Sequence, residues 1–582
     1  MNMMEEARKQ VSALTQAAYA HAVEKGVLPA GAAVEAKVEV PKDVKNGDWS
    51  TSFALAAAKP LGQNPRQVAQ ILAEELDLTD SYFSKVAVAG PGFLNFTLGE
   101  KWFGEVLCAI EREGAAYGQS DEGKGKKVMV EFVSANPTGP MHMGNARGGV
   151  LGDALAAILE RLGYDVWREF YVNDAGNQIH KFAVSIDARY RQLILGEDAV
   201  EFPEDGYKGE DIIDLAKGFR AQEGDGWLDK PEEERQDALA AYGLRANLPK
   251  MKEDLGRYHI EYNEWFLESA LHDSGAVGKT VEELEAKGWT YEKDGALWLN
   301  TTALLKEKYL REGKSREQVD KLELKDDVLR RANGFYTYFA ADIAYHKNKL
   351  LDRGFDTAIN VWGADHHGHV ARLQAALDGL GLDGSHRLVI VLMQLVNLLQ
   401  DGKPVRMSKR SGKAIALHDL LDEVNVDAAR FFFNNTKPTS PLDFDLGLAV
   451  RQDSENPVYY VQYAHARICS LIAKLASEEG LKVPGAETVN ASRLQSGEEV
   501  ALIKTLARFP DEIRVAAKNY DPSQLNHYLI ALAGDFHRFY NAQRIKGEAE
   551  DVALARLKLA DATRRVIANG MALLGVAAPE KM

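Results

Sequence analysis

VMVEFVSANPTGPMHMGNARGG, residues Val128 to Gly149, decides the reading of this 582-residue chain. An apolar run (Val128 to Val133) reads as a strand and enters a turn carrying Pro137, Thr138, Gly139 and Pro140. His142, Met143, Gly144 and Asn145 follow. From Arg147 to Leu162 the apolar residues Val150, Leu151, Ala154, Leu155, Ile158 and Leu159 recur at helical spacing. A second run, Val166 to Val172, closes a β-α-β unit. Such a unit aims a helix N-terminus and a histidine at one point above a parallel sheet. Free backbone N–H groups and the helix dipole favour an anion there, so the pattern points to phosphate binding. Gly144 lets the backbone approach a nucleotide closely.

About 260 residues on lies VRMSKRSGKAIA, Val405 to Ala416. Arg406, Lys409 and Arg410 alternate with Ser408, Ser411 and Gly412 in a basic loop suited to neutralising a triphosphate. Either stretch alone reads as a solvated turn. Together, in this order, they resemble the HIGH and KMSKS signatures of class I aminoacyl-tRNA synthetases. The chain departs at two places: Asn145 stands where the second histidine usually sits, and Arg406 replaces the first lysine. Asparagine still hydrogen-bonds and arginine keeps the charge, so activity is expected to survive.

With 46% hydrophobic residues the chain can support several domains. The start, MNMMEEARKQ, has no apolar segment of the signal-peptide kind, and the run Leu388 to Leu399 is too short to span a bilayer. That run reads as a buried strand or helix near the active site. Cys108 and Cys469 form no metal-type spacing and imply no disulfide framework. A reduced cytoplasm and no membrane partner are expected. The net charge is −16 but uneven: Asn456 to Met582 holds 16 Lys+Arg against 14 Asp+Glu, which is +2, and the first 455 residues carry −18. A nucleic-acid site must then be a local basic face.

Residues 1–118 read as an α+β unit: a helix (Glu5 to Glu24), a helix over Val68 to Leu76, and VAVAGPGFLNFTL (Val86 to Leu98), a β run bent at Gly90, Pro91 and Gly92. Residues 119–430 read as an α/β nucleotide-binding domain, with a helical, charge-rich insertion at about 186–325. That insertion contains a β-hairpin pattern, Trp289 to Thr301. Residues 431–582 read as all-helical.

The GDW (Gly47 to Trp49) and AGPGFLN stretches, YFAADIAYH (Tyr338 to His346), NPVYYVQYAHARI (Asn456 to Ile468), FHRFYNAQRI (Phe536 to Ile545) and the terminus LLGVAAPEKM together resemble arginyl-tRNA synthetases of bacterial type. The resemblance spans essentially the whole chain. It implies a class I Rossmann-type catalytic domain, an N-terminal appendage that touches the tRNA elbow, and a helical anticodon-binding domain. It also implies arginine–tRNA ligation from ATP (as its Mg²⁺ complex, with no dedicated protein metal site), L-arginine and an arginine-accepting tRNA, by a monomer.

Arginine's guanidinium is a planar fork that calls for carboxylates. By resemblance, Glu131 and Asp342 pair with it, Tyr338 packs on or hydrogen-bonds to it, and Ser134 and Asn136 hold the α-amino or carboxylate end. A plain salt bridge from Glu131 to a neighbour such as Arg147 is the competing reading. By the same resemblance Pro137, Gly139, His142, Gly144, Asn145, Gly363, Asp365, His366, Met407, Ser408 and Lys409 bind ATP, with His142, Asn145 and Lys409 catalytic. His366, His367 and His369 lack a distant fourth ligand and any CxxC, so no zinc site is expected. Tyr459, Tyr460, Tyr463 and His465 are candidates to stack on anticodon bases, and Arg467, Arg538 and Arg544 to contact phosphates or bases. About half of these aromatic positions fit a core stripe equally well. A catalytically inactive, tRNA-binding paralogue is the alternative; intact His142, Gly144 and Lys409 argue against it.

Overall fold

The computed structural model describes residues 1–32, 34, 37–405 and 415–582. The N-terminal unit opens with a helix (Met3–Glu24) whose first turn is capped by the Asn2 side chain, which accepts from the Met4 and Glu5 N–H groups. A four-stranded antiparallel sheet follows. Its hairpin, Phe83–Ala89 and Phe93–Leu98, turns where the glycine-proline signal placed it. Gly92 there has φ +142°, and a Cβ would lie 2.8 Å from the Pro65 carbonyl oxygen, so only glycine fits.

The centre is a five-stranded, all-parallel sheet. In chain order its strands are β1 (Lys127–Glu131), β2 (Asp165–Val172), β3 (Glu264–Leu267), β4 (Thr357–Gly363) and β5 (Leu388–Met393). They lie side by side as β5-β4-β1-β2-β3. The order reverses at β1, so loops leaving the carboxyl ends of β1 and β4 diverge and open a crevice between them. The expected β-α-β unit is β1, helix α1 (Met143–Arg161) and β2. Helix α1 lies close against the chain leaving β1 because Gly152 has no side chain: a Cβ would meet the Phe132 ring at 2.2 Å.

Two expected boundaries move. The stretch 186–325 is not one insertion, because β3 lies inside it and pairs in parallel with β2. Helical segments precede β3; after it come more helices and a three-stranded antiparallel sheet built on the expected hairpin, Thr290–Lys293 and Ala296–Leu299. The catalytic unit also runs past residue 430, since Leu442–Asp445 pairs in parallel with Val396–Gln400. Helix α2 (Tyr338–Lys347) leads back into the sheet and ends in one π-helical turn, Asn348–Asp352.

The C-terminal helices include α3 (Pro457–Glu478) and α4 (Ser523–Ala542). Fully buried Arg430 joins the parts, donating to the carbonyls of Tyr258, His259 and Leu574 and pairing with Asp153 at 2.5 Å. No helix among the described residues is long and apolar enough to cross a membrane.

Candidate active site

The chain leaving β1 turns abruptly. Val133 (φ +68°) and Ser134 (φ +43°) both sit in the left-handed region, which a β-branched residue strongly disfavours. Hydrogen bonds hold the turn: the Ser134 hydroxyl donates to Glu131 Oε1 at 3.0 Å and accepts the Tyr171 N–H at 3.2 Å. Beyond it, His142 is the N-cap of α1. Asn145 Oδ1 accepts the His142 backbone N–H at 3.0 Å and its ring Nδ1–H at 2.8 Å. The departure from the usual second histidine thus has a local role: Asn145 fixes the imidazole with Nε2 outward. Burial lowers the His142 pKa, which favours the neutral ring. Around Gly144 nothing lies within 4 Å of where a Cβ would stand.

The two signature stretches meet here. His142 and Ala416 form an antiparallel bridge, Leu417 N–H donates to the Met141 carbonyl at 2.7 Å, and Met143 N–H to Ile415 at 3.2 Å. Arg406, Met407, Ser408, Lys409, Arg410, Ser411 and Gly412 lie outside the described residues. A cavity of about 770 Å³ is lined by Ser134, Asn136, Gly139, His142, Asn145, His366 and Ala416, among others. That volume suits a nucleotide. Pro137 is buried behind this wall, its carbonyl accepting from Asn247 Nδ2 at 2.9 Å, so it supports the turn rather than lining the cavity. Of Gly363, Asp365 and His366, only His366 reaches the wall. Lys208, brought in by the segment between β2 and β3, also lines it and makes no ion pair among the described residues; the sequence reading missed it.

A second group of candidate residues lies at the start of α2. Tyr338 and Asp342 are one helical turn apart, as the spacing predicts. The Tyr338 hydroxyl accepts the Asn177 N–H at 2.8 Å, and its ring is 45% exposed. Asp342 Oδ2 pairs with His369 Nε2 at 2.9 Å, and the His369 ring packs against Phe339 and Trp362. A second carboxylate that the sequence reading missed sits within electrostatic reach. Glu268 follows directly on β3, is 3% exposed, and is held by Tyr171, His272 and, in its swapped amide orientation, Asn173. Two neighbouring carboxylates supply the charge that a guanidinium calls for.

Burial pushes the Glu268 carboxyl above its ordinary 4.5, and Asp342 adds to the shift. A neighbouring cation would favour the ionised form of Glu268. If arginine is the cation, KM for it is expected to fall as pH rises through this raised pKa, on the alkaline side of 4.5. Glu268→Gln is expected to remove that limb from the pH profile of kcat/KM for arginine; an unchanged limb would assign it elsewhere.

Glu131 departs from expectation. It is 5% exposed and ion-paired with Lys349, while Asn360 Nδ2 donates to it at 3.0 Å. Its oxygens are already taken, so it supports the site instead of facing a guanidinium. Arg147 is not its partner either, donating instead to the carbonyls of Gln394, Lys437 and Ser440.

Three family models match in chain order: the arginyl tRNA synthetase N terminal domain (residues 9–98), the tRNA synthetases class I (R) catalytic domain (107–443) and the DALR anticodon binding domain (461–582). The chain belongs to the arginyl-tRNA synthetase family. Among arginyl-tRNA synthetase relatives, proteins named arginine–tRNA ligase from Acetivibrio thermocellus and Caldanaerobacter subterraneus subsp. tengcongensis are 50% and 52% identical over 581 residues, covering 100% of both chains in each case. The arginyl-tRNA synthetase structure from Thermus thermophilus aligns with a TM-score of 0.70 at 25% identity, over 98% of this chain and 100% of that one.

In the C-terminal domain of this synthetase, α3 and α4 present one aromatic face. Tyr459 stacks on Tyr463 (6.1 Å), Tyr460 packs on His537 (4.8 Å), and the Arg467 guanidinium lies 4.1 Å from the Tyr540 ring centre. Arg538 is largely exposed although paired with Asp535; Arg544 is exposed just past α4. His465 is a correction: it is 3% exposed and its Nδ1 bonds the Pro579 carbonyl at 2.9 Å, pinning the C-terminal tail.

Proposed function

We propose that this chain is an arginine–tRNA ligase, active rather than a tRNA-binding paralogue. One observation carries the reading: a nucleotide-sized cavity lies at a capped helix N-terminus, in a domain where the carboxylates of Asp342 and Glu268 lie within electrostatic reach of each other. Arginine's carboxylate oxygen attacks the α-phosphorus of ATP, and the bond to the β-phosphate oxygen breaks, releasing pyrophosphate. The 2′-hydroxyl of the tRNA's terminal adenosine (the position implied by class I membership) then attacks the carbonyl carbon, and AMP leaves. No covalent enzyme intermediate forms; catalysis is positioning plus charge stabilisation.

Asp342 and Glu268 hold the guanidinium, Tyr338 packs against it, and Ser134 and Asn136 hold the main-chain end. His142 accepts from a ribose hydroxyl while neutral and donates once a phosphate raises its pKa. Gly139, Gly144, His366, Met407, Ser408 and Lys409 complete the ATP site, and Lys208 adds a cation. Mg²⁺ enters with the ATP phosphates; among the described residues no group of three or more His, Cys, Asp and Glu side chains is arranged to hold a metal. The face carrying Tyr459, Tyr460, Arg467, Arg538 and Arg544 reads the anticodon, and the N-terminal unit meets the tRNA elbow. The enzyme works as a monomer in the cytoplasm.

Amino-acid-dependent ATP–pyrophosphate exchange, screened over all twenty amino acids with and without tRNA, tests the reading. Exchange with arginine alone supports it. Exchange with another amino acid overturns the pocket, and none at all, with tRNA still bound, returns the inactive paralogue. Lys208→Ala is expected to raise KM for ATP about fivefold, the scale of ~1 kcal/mol for one partly exposed charge pair; steady-state kinetics with ATP varied checks it.

A further inference from the structure

Beneath the two pockets runs one buried polar chain. It starts at Ser134, whose hydroxyl donates to Glu131. Glu131 pairs with Lys349 and accepts from Asn360, its register partner across β1 and β4. Lys349 also donates to Asn360 Oδ1 at 3.2 Å, and Asn360 Nδ2 lies 2.9 Å from His346 Nε2. His346 Nδ1 bonds the backbone carbonyl of Asp342 at 2.8 Å. The chain therefore begins in the strained turn on the cavity wall and ends on the helical turn that carries Asp342. Lys349 and Asn360 are 0% exposed.

Stability does not explain this arrangement. A buried lysine–glutamate pair loses two hydration shells, and an apolar pair of the same size is often as stable or more so. Lys349 reaches Glu131 from the π-helical turn that ends α2, and such turns concentrate at functional sites. Its ammonium also lies 4.0 Å from the Tyr345 ring centre, which leaves it a single seat.

Arginine alone among the substrates spans both ends of the chain, its main-chain end at Ser134 and Asn136 and its guanidinium at Asp342. We propose that Lys349 is a positioning residue that fixes the distance between these two ends, so that the site measures the length of the amino-acid side chain. The proposal rests on the arginine reading above. A ligand filling only the guanidinium end would not sense that distance.

The test uses the full-length enzyme as Lys349→Met, with Glu131→Gln/Lys349→Met as a second variant that leaves no unpaired buried charge. Two quantities are compared in tRNA charging: kcat/KM for arginine, and the inhibition constant of butylguanidine, which carries the guanidinium and no main-chain end. The expected result is a loss of about 10²-fold in kcat/KM, the scale for an ångström of misplacement, with the inhibition constant within twofold of wild type. Equal losses in both would mean general loosening and would overturn the proposal, as would no loss in either. If the wild-type enzyme charged no arginine, the functional reading would fail instead, which separates the two.

Discussion

Asp342→Ala is expected to lower kcat/KM for arginine by about 10²–10³-fold, the range for truncating one partner of a desolvated charge pair, and to leave KM for ATP near its wild-type value. Asp342 is partly exposed and paired with His369. When the guanidinium enters, it displaces solvent and competes with His369 for the same carboxylate. Removing that carboxylate leaves Glu268 as the remaining anion, too deeply buried to receive a planar fork by itself. The loss falls on arginine specifically, so discrimination against citrulline, which has the same length without the charge, narrows in parallel. Steady-state charging with both amino acids checks this. Unchanged discrimination would remove Asp342 from the pocket.

What the sequence made legible was local. The turn after β1, the helix that follows it and the second strand are encoded within about 45 residues, by an apolar run, a glycine-proline turn and helical periodicity, and all three formed. The partnership of Tyr338 and Asp342 is a four-residue spacing and was equally readable. What escaped was placement set by distant segments. Strand β3 is three half-buried residues and one exposed, inside a charge-rich stretch and too short for a periodic signal, yet it completes the sheet and brings Glu268 within electrostatic reach of Asp342. Glu131 looked like a ligand because it ends the central strand. Its partner Lys349 lies 218 residues away, and no pattern in either segment announces the pair. Lys208 reaches the cavity from between β2 and β3, where a single lysine among acidic residues reads as solvated surface. His465 sits among the candidate base-stacking residues in sequence, but its ring bonds the C-terminal tail at Pro579.

Lys409→Ala is expected to lower kcat by about 10²–10³-fold, the scale for losing one group that stabilises charge developing in the transition state. Lys409 lies outside the described residues, but both flanks of its segment are described. On one side Val405 N–H donates to Leu398 at 3.0 Å, and on the other Ile415 and Ala416 are bonded to the first signature beside His142. The described chain therefore resumes next to the cavity. Ala416 lies on its wall, and Lys409, seven residues before it, is within about 25 Å of contour. As pyrophosphate departs, negative charge grows on the bridging oxygen, more than one partly buried histidine can offset. A lysine ammonium answers that need, and its effect should appear in the rate of adenylate formation rather than in ATP binding. Single-turnover measurement of arginyl-adenylate formation separates the two: a fall in the rate at saturating ATP supports the role, whereas a rise in KM alone would make Lys409 a ground-state contact. Lys409→Arg, which keeps the charge on a broader head group, should recover part of the loss.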